Sequence, residues 1–507
     1  MRIRVVGAGT MGRGIAQWAV TAGHTVELAD ARSESVGEAV AFIERMLLRA
    51  VEKGRLTRAG ADAALGRLVR LECPYAPPTE SAPELVIEAV VEELAVKAEL
   101  FTGLERVLPA GTVFATNTSS LSVTSLGARL ADPGRLAGLH FFNPVPLMKV
   151  VEVVPGAATL PETVPWLVSF VESCGHRAVT VADTPGFLVN HAGRGLVTEA
   201  FALLEQCVAD HAAIDRIARD VLGLRMGPFE LMDLTGLDVT ASVMETVWRG
   251  FRHDDRLRPS ALTANRVTAG LLGRKTRRGF YAYSDRPGTD GAPAPAPAEL
   301  PEPAVEPGDA RRPRTVVGDG PQAEAWRAAL DAAAAGDGAL HLVPTWGTTV
   351  AAAVADRGLP PERTLGVDPL ALDTPRRVLA VTPATAPDAV RDAVAVLADG
   401  GHRVTVVRDT AGSVAQRLLA SVVGVATGIA ERGIAAPDDI DTAVTLGLGY
   451  PHGPLAWGDR LGTARLHTLA GNLYATTGDP RYRPTGWLTE RARLGLSLLT
   501  PAAPLPQ

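Results

Sequence analysis

Cysteine is scarce in this chain: Cys73, Cys174 and Cys207 are the three among 507 residues. Three cysteines cannot build a disulfide scaffold and fit a reducing compartment. Their spacing matches no metal-ligand pattern. A basic excess is lacking too. Lys and Arg number 50 against 56 Asp and Glu, a net charge of −6, which excludes the basic face that general nucleic-acid binding needs. Long apolar runs are also missing. The longest, about Leu418 to Ala430, falls short of the roughly 20 residues of a membrane span and carries Gly424, Thr427 and Gly428. Ile3 to Val6 reads as a strand and not as an apolar leader. The expectation is a soluble cytoplasmic protein without nucleic-acid or membrane partners. With 46% apolar and 21% charged residues the composition is globular, and the length suggests three or four domains.

What is there alternates. A β-branched strand, Ile3–Val6, leads into Gly7-Ala8-Gly9-Thr10-Met11-Gly12 and a helical stretch that Gly23 ends. Thr25–Ala29 is a second strand with Asp30 at its end. Further apolar strands, at Leu85–Ile87, Val113–Thr116, Leu136–Phe142 and Val150–Val154, alternate with helical patterns, so a mostly parallel sheet covered on both faces is expected. From Thr184 the strand signals stop, and apolar residues recur at helical spacing until Gly279-Phe280-Tyr281. Eight prolines between 286 and 313 then predict an extended, exposed and mobile linker.

After the linker the chain repeats itself. At a constant offset of 226 residues, Gly175-His176-Arg177 meets Gly401-His402-Arg403, Asp183-Thr184 meets Asp409-Thr410, and Gly227-Pro228 meets Gly453-Pro454. Glu205, Asp215, Gly223, Asp233 and Gly236 find identical partners without a gap. Matched turn and cap residues at one offset indicate duplication. Upstream, Thr315–Ala323 reads as a worn version of Arg4–Gly12, and Thr348 is comparable to Ser119. The expected domains are an α/β sheet domain at 1–183, an all-α domain at 184–284, the linker at 285–313, a degenerate, shortened sheet segment at 314–408 and a second all-α domain at 409–507.

The glycine loop carries the first chemistry. It follows a strand, opens a helix and meets Asp30, 23 positions after Gly7. In such a Rossmann-type loop Gly7 allows the tight turn, Gly9 lets backbone approach a pyrophosphate, and Gly12 lets helix and strand pack closely. Thr10 and Met11 open a helix whose free N–H groups face the phosphate. Asp30 would accept from ribose hydroxyls and repel a 2′-phosphate, which favours NAD over NADP; Arg32 nearby works against that preference. Arg45, Arg49, Lys53 and Arg55 lie on a helical stretch that reads equally as a solvated face or as a surface for an anionic substrate moiety.

Further along stand Thr116-Asn117-Thr118-Ser119-Ser120, then Gly138-Leu139-His140-Phe141-Phe142-Asn143-Pro144, Val151-Glu152-Val153-Val154 and Asp183-Thr184-Pro185-Gly186-Phe187-Leu188-Val189-Asn190. Taken singly, His140 is a core histidine, Glu152 an edge charge, Ser119 a helix cap and Asn190 a polar helix position. In this order, with Gly227-Pro228-Phe229-Glu230 and Lys275-Thr276-Arg277-Arg278-Gly279-Phe280, residues 1 to about 283 resemble the L-3-hydroxyacyl-CoA dehydrogenase family, in particular its bacterial members with an extra C-terminal helical domain. The resemblance implies an NAD-dependent oxidation of a short-chain (S)-3-hydroxyacyl-CoA. In that scheme His140 is the base, Glu152 its partner, and Ser119 and Asn190 bind the substrate oxygen. Glu92, Lys97 and Asn117 join the cofactor contacts. A hydroxyacyl group on a carrier protein, a free hydroxy acid, and a non-catalytic NAD-binding relative are the rival readings.

The second copy lacks these groups. Aligning Asn143-Pro144 with Asp368-Pro369 puts Leu365 opposite His140; no glutamate replaces Glu152, and Gln416 stands at Asn190. An inert copy is expected, kept as a fused partner that makes the chain a pseudo-dimeric monomer, a homodimer being the alternative.

Overall fold

The computed structural model describes residues 1–78, 81–283, 300–303, 306–331 and 338–503. They fall into two compact units, residues 1–191 with 432–448, and residues 192–431 with 449–507.

The first unit is built on eight strands: β1 Arg2–Val6, β2 Thr25–Ala29, β3 Leu68–Arg70, β4 Leu85–Glu88, β5 Val113–Thr116, β6 Leu136–Phe141, β7 Val150–Pro155 and β8 Arg177–Thr180. Their order is β3-β2-β1-β4-β5-β6-β7-β8. The order reverses between β1 and β4, the crevice where ligands bind in such sheets. Only β6 and β7 run antiparallel. The inner strands are buried on both faces, as continuous apolar runs such as Leu85-Val86-Ile87 require. The core packs Ile3, Val5, Ile15, Trp18, Leu28, Ile87, Leu139 and Phe141 together.

The second sheet has five strands: β9 Arg314–Val316, β10 Leu340–Pro344, β11 Thr364–Val367, β12 Arg376–Val381 and β13 Arg403–Arg408, ordered β13-β12-β11-β10-β9. Only β11 and β12 are antiparallel, so β10 to β13 reproduce β5 to β8. This corrects the reading of Thr315–Ala323 as a worn glycine loop. β9 pairs with β10 as β4 pairs with β5. It therefore holds the place of β4, and among the described residues nothing in this sheet stands for β1, β2 or β3.

The duplication itself holds at the level of backbone. The helices Pro228–Thr235 and Pro454–Leu461 coincide at the 226 offset. Gly175, Gly186, Gly223 and Gly236 share their positive φ with Gly401, Gly412, Gly449 and Gly462. Within the second unit the two helical copies meet across the helices Arg194–Glu205 and Val414–Glu431. A Cβ added at Gly195 would stand 2.8 Å from Val422 and 2.9 Å from the Ser421 carbonyl. Ser421 is the duplicate of Gly195, so equivalent positions face each other, as on a twofold axis. Val414–Glu431 is longer than the apolar run suggested: it has 18 residues and mean hydropathy 1.2, and 83% of it is buried in the fold as a core helix.

Two helices cross over. His211–Asp220, from the first helical copy, reaches the second sheet, where Asp220 pairs with Arg376 at 2.9 Å. Pro437–Leu448, from the second copy, packs on the first sheet: Ala182 donates its N–H to the Ile434 carbonyl at 2.8 Å, and Arg177 lies 3.7 Å from Asp439.

Most of the proline-rich segment lies outside the described residues. Its described part is docked, contrary to the expected free linker. Glu302 pairs with the buried Arg376 at 2.5 Å, and Arg312 with Asp392 at 2.6 Å.

Candidate active site

At the C-terminal end of β1, Gly7 has φ +108°, a conformation that side chains disfavour. Side chains at Gly7 and Gly12 would collide with neighbouring backbone, whereas one at Gly9 meets nothing within 4 Å. The loop is therefore tight where it packs and open where a phosphate would lie. The helix Thr10–Thr21 starts without a side-chain cap and without an acid in its first turn, leaving its N–H groups for an anion. Asp30 is held against this loop. It accepts from the Ala8 N–H at 2.7 Å and the Arg32 N–H at 3.0 Å. These residues fit a dinucleotide. Nearby, Arg45, Lys53 and Arg55 are exposed and Arg49 is half-buried, while Arg13 stacks on Phe42 at 3.9 Å.

Farther along the sheet, the antiparallel register of β6 and β7 sets His140 directly opposite Glu152. Nδ1 of His140 lies 2.5 Å from one Glu152 carboxylate oxygen. The other oxygen accepts the N–H groups of Leu188 at 3.0 Å and Val189 at 2.7 Å. Glu152 is fully buried and His140 is 5% exposed. A carboxylate at Nδ1 selects the tautomer that leaves the Nε2 lone pair available. Phe142 meets the imidazole edge-on at 4.5 Å, and Phe187 lies at 5.7 Å, so the ring plane is confined. The turn that aims the two N–H groups is strained. Phe187 sits in the left-handed region with φ 48°, a cost of about 1–3 kcal/mol that surrounding structure must offset.

A second cluster gathers around Glu92. Its Oε1 accepts from the N–H groups of Ser119 at 2.8 Å and Ser120 at 3.0 Å, and from the hydroxyls of Thr118, Ser120 and Ser119. Burial opposes the charge. The Thr118 hydrogen bond, the Lys97 ammonium and the serine donors outweigh it and hold the Glu92 carboxyl at about 2. Lys97 was expected at the cofactor. It is 1% exposed, with its ammonium 2.6 Å from Glu88 and 3.2 Å from Glu92, so it bridges the two carboxylates. Glu88 escaped the sequence reading, although an acid closing the apolar run Leu85-Val86-Ile87 was the available signal. Its carboxylate is fully buried and also accepts from the Thr116 hydroxyl and the Val90 N–H, both at 2.7 Å.

The two clusters are tied together. Asn117 accepts the Phe141 N–H at 2.8 Å, next to His140. Asp183 accepts from Ser122 Oγ, Val123 N–H and Thr124 N–H at 2.7–3.1 Å, joining the Ser119 loop to the turn that feeds Leu188 and Val189. Ser119 is exposed, and Asn190, half-buried, follows Val189 directly.

The second sheet closes the corresponding place. Asp368 lies across from Val378 on β11–β12, with its N–H 3.4 Å from the Val378 carbonyl. By register Val378 stands at Glu152 and Asp368 at His140, not Leu365 as the Asn-Pro/Asp-Pro likeness suggested. The capping residues Ser122 and Thr349 likewise bring Trp346, not Thr348, to the position of Ser119. Gln416 donates to Asp368 at 2.9 Å and to the Thr345 carbonyl at 2.9 Å, and accepts the Gly347 N–H at 3.0 Å. Both side chains are buried.

Residues 2–184 match the family model of the 3-hydroxyacyl-CoA dehydrogenase NAD-binding domain. Residues 186–283 and 412–497 each match that of its C-terminal domain. The chain belongs to the 3-hydroxyacyl-CoA dehydrogenase family. It is an NAD-dependent oxidoreductase of that family with a duplicated C-terminal domain. The 3-hydroxyadipyl-CoA dehydrogenase of Escherichia coli is 37% identical over 494 residues, 97% of each chain. The crystal structure of an Escherichia coli 3-hydroxybutyryl-CoA dehydrogenase overlaps 97% of this chain and 98% of its own, with 35% identity and TM-score 0.82. That of (S)-3-hydroxybutyryl-CoA dehydrogenase from Ralstonia eutropha covers 56% of this chain and 99% of its own, at 35% identity and TM-score 0.54. This family therefore includes members without the second half.

Proposed function

We propose that the chain interconverts (S)-3-hydroxyacyl-CoA and 3-oxoacyl-CoA with NAD, on short acyl chains such as 3-hydroxybutyryl or 3-hydroxyadipyl. The observation that carries this reading is the 2.5 Å contact of His140 Nδ1 with a buried Glu152. Nε2 of His140 takes the substrate hydroxyl proton. The proton stays on the imidazolium, which the Glu152 carboxylate stabilises, while the Leu188 and Val189 N–H groups keep that carboxylate in place. Ser119 and Asn190 hydrogen-bond the oxygen at C3 and fix the carbon for transfer. NAD, when bound, would supply the hydride acceptor. Gly7, Gly9 and Gly12, with the first turn at Thr10 and Met11, would hold the pyrophosphate. Asp30 would hold the ribose, and Glu92 and Asn117 shape the loop beside it. The chain-length part of the reading draws on the relatives named above, and the exposed Arg45, Lys53 and Arg55 suit the anionic CoA.

The test is NADH formation over a series of 3-hydroxyacyl-CoAs, including one with a terminal carboxylate, alongside the free acids. Thioesters turning over and free acids failing is the expected result. His140→Gln should cut kcat by about 10²–10⁴-fold, the usual worth of a general base, with NAD binding retained. Full turnover by that variant would overturn the assignment.

A further inference from the structure

The crossed helix Pro437–Leu448 ends above the turn that holds Glu152. A Cβ added at Gly447 would stand 3.1 Å from both methyls of Val189 and 3.5 Å from a methyl of Val150. Val189 supplies the 2.7 Å N–H to Glu152. Val150 lies two residues before Glu152 on β7, hence on the same face of the strand. Glycine inside a helix costs about 1 kcal/mol against alanine, so its presence near this helix end calls for a packing reason. The duplicate supplies an internal control. At the 226 offset Gly447 corresponds to Val221, and Val189 to Ala415. Small and large have been exchanged: the half with the histidine–glutamate pair has glycine on the helix and valine on the clamp, and the half without it has the reverse.

We propose that Gly447, contributed by the second half, is a positioning residue for the His140–Glu152 pair. It leaves room for Val189 to hold its N–H against the carboxylate. This inference rests on the reading of that pair as the reacting groups. A larger side chain at 447 displaces the Val189 backbone, lengthens the bond to Glu152 and lets the imidazole drift. Misplacement by about 1 Å can cost on the order of 100-fold in rate.

The experiment uses the full chain. Gly447→Ala, whose methyl Val189 can accommodate by a few tenths of an ångström, should lower kcat by about twofold. Gly447→Val should lower it by about tenfold or more, with NAD affinity unchanged, since the glycine loop lies on other strands. The double variant Gly447→Val/Val189→Ala copies the pairing of the other half and keeps the Val189 N–H. It should recover most of the lost kcat. Thr445→Ala, exposed on the same helix, should be neutral. Unchanged kcat in Gly447→Val overturns the inference. So does a loss of kcat that comes with lost NAD affinity and thermal stability and is not recovered in the double variant, because that is general packing damage. Turnover by His140→Gln brings down the underlying reading. An inactive His140→Gln beside a fully active Gly447→Val brings down this inference alone.

Discussion

On β6–β7 a histidine faces a glutamate, and the glutamate is anchored by two backbone N–H groups. On β11–β12, built to the same plan, an aspartate faces a valine, and a glutamine fills the remaining space. The difference shows what keeps a site open. In the first sheet Glu152 is anchored by backbone N–H groups and Glu92 by the Ser119 loop. In the second, Gln416 bridges Asp368, the Thr345 carbonyl and the Gly347 N–H across that face. Side chains that fill the corresponding space from within leave no histidine–carboxylate pair there to meet a substrate.

The largest expected effect comes from pushing the first site towards the second. Glu152→Gln keeps the shape and removes the charge opposite His140. It should lower kcat by about 10²–10⁴-fold, the worth of a positioned proton acceptor. NAD binding, titrated by fluorescence, should be unchanged, because β1 and β2 are untouched. Retained turnover would mean that the His–Glu arrangement is no more functional than its eroded counterpart.

The helical copies offer the same comparison on their shared interface. The short helical turns Asp255–Leu257 and Pro480–Tyr482 are equivalent. Arg256 of the first bonds the carbonyls of Gly424 and Arg483 at 2.7 Å each. On the other side Glu199, fully buried, meets Arg417 at 2.6 Å, Arg481 at 3.4 Å and the Tyr482 hydroxyl at 2.7 Å. Arg417→Met strands a buried carboxylate, so it should cost about 3 kcal/mol, the low end for a broken buried pair because Arg481 remains. Arg256→Ala removes hydrogen bonds from a half-buried group and should cost about 1 kcal/mol. Urea unfolding measures both. Equal losses would show that the two sides of the interface are energetically symmetric despite their chemistry.

Much of the first half was legible because its chemistry is local. The glycine loop is one turn. The twelve-residue spacing of His140 and Glu152 straddles a hairpin that sets them opposite. The 226 offset survives because the helical copies are gapless. The sheet of the second half was not legible. Its offsets are 227 at β10, 228 at β11 and 226 at β12, because the connection from β10 to β11 is one residue longer than its counterpart and that from β11 to β12 two residues shorter. A similar Asp-Pro turn therefore misplaced His140's counterpart by three residues. Strand order escaped as well: Val316-Val317-Gly318 resembles Val5-Val6-Gly7, although β9 holds the place of β4. The crossing of Pro437–Leu448 to the first sheet, and the Glu302–Arg376 pair, depend on tertiary contacts that periodicity does not encode.

The smallest effect is expected at Asp368, and its sign separates a structural residue from a working one. Burial pushes its carboxyl above the ordinary aspartate value, against the hydrogen bonds from Gln416 and the Leu370 N–H. A carboxyl whose folded pKa exceeds its unfolded value near 3.9 contributes stability that is whole below that value and is lost as pH rises through the folded pKa, about 1.4 kcal/mol for each tenfold change in acid constant. Asn is nearly isosteric and neutral throughout. Asp368→Asn should therefore gain on the natural chain as pH is raised, the two being closest near pH 4, when thermal unfolding is followed across that range. Turnover should stay the same, because the amide still accepts from Gln416 and the network touches no substrate. A fall in kcat without a change in stability would reverse the comparison and make the Asp368–Gln416 network of the second half part of the reaction.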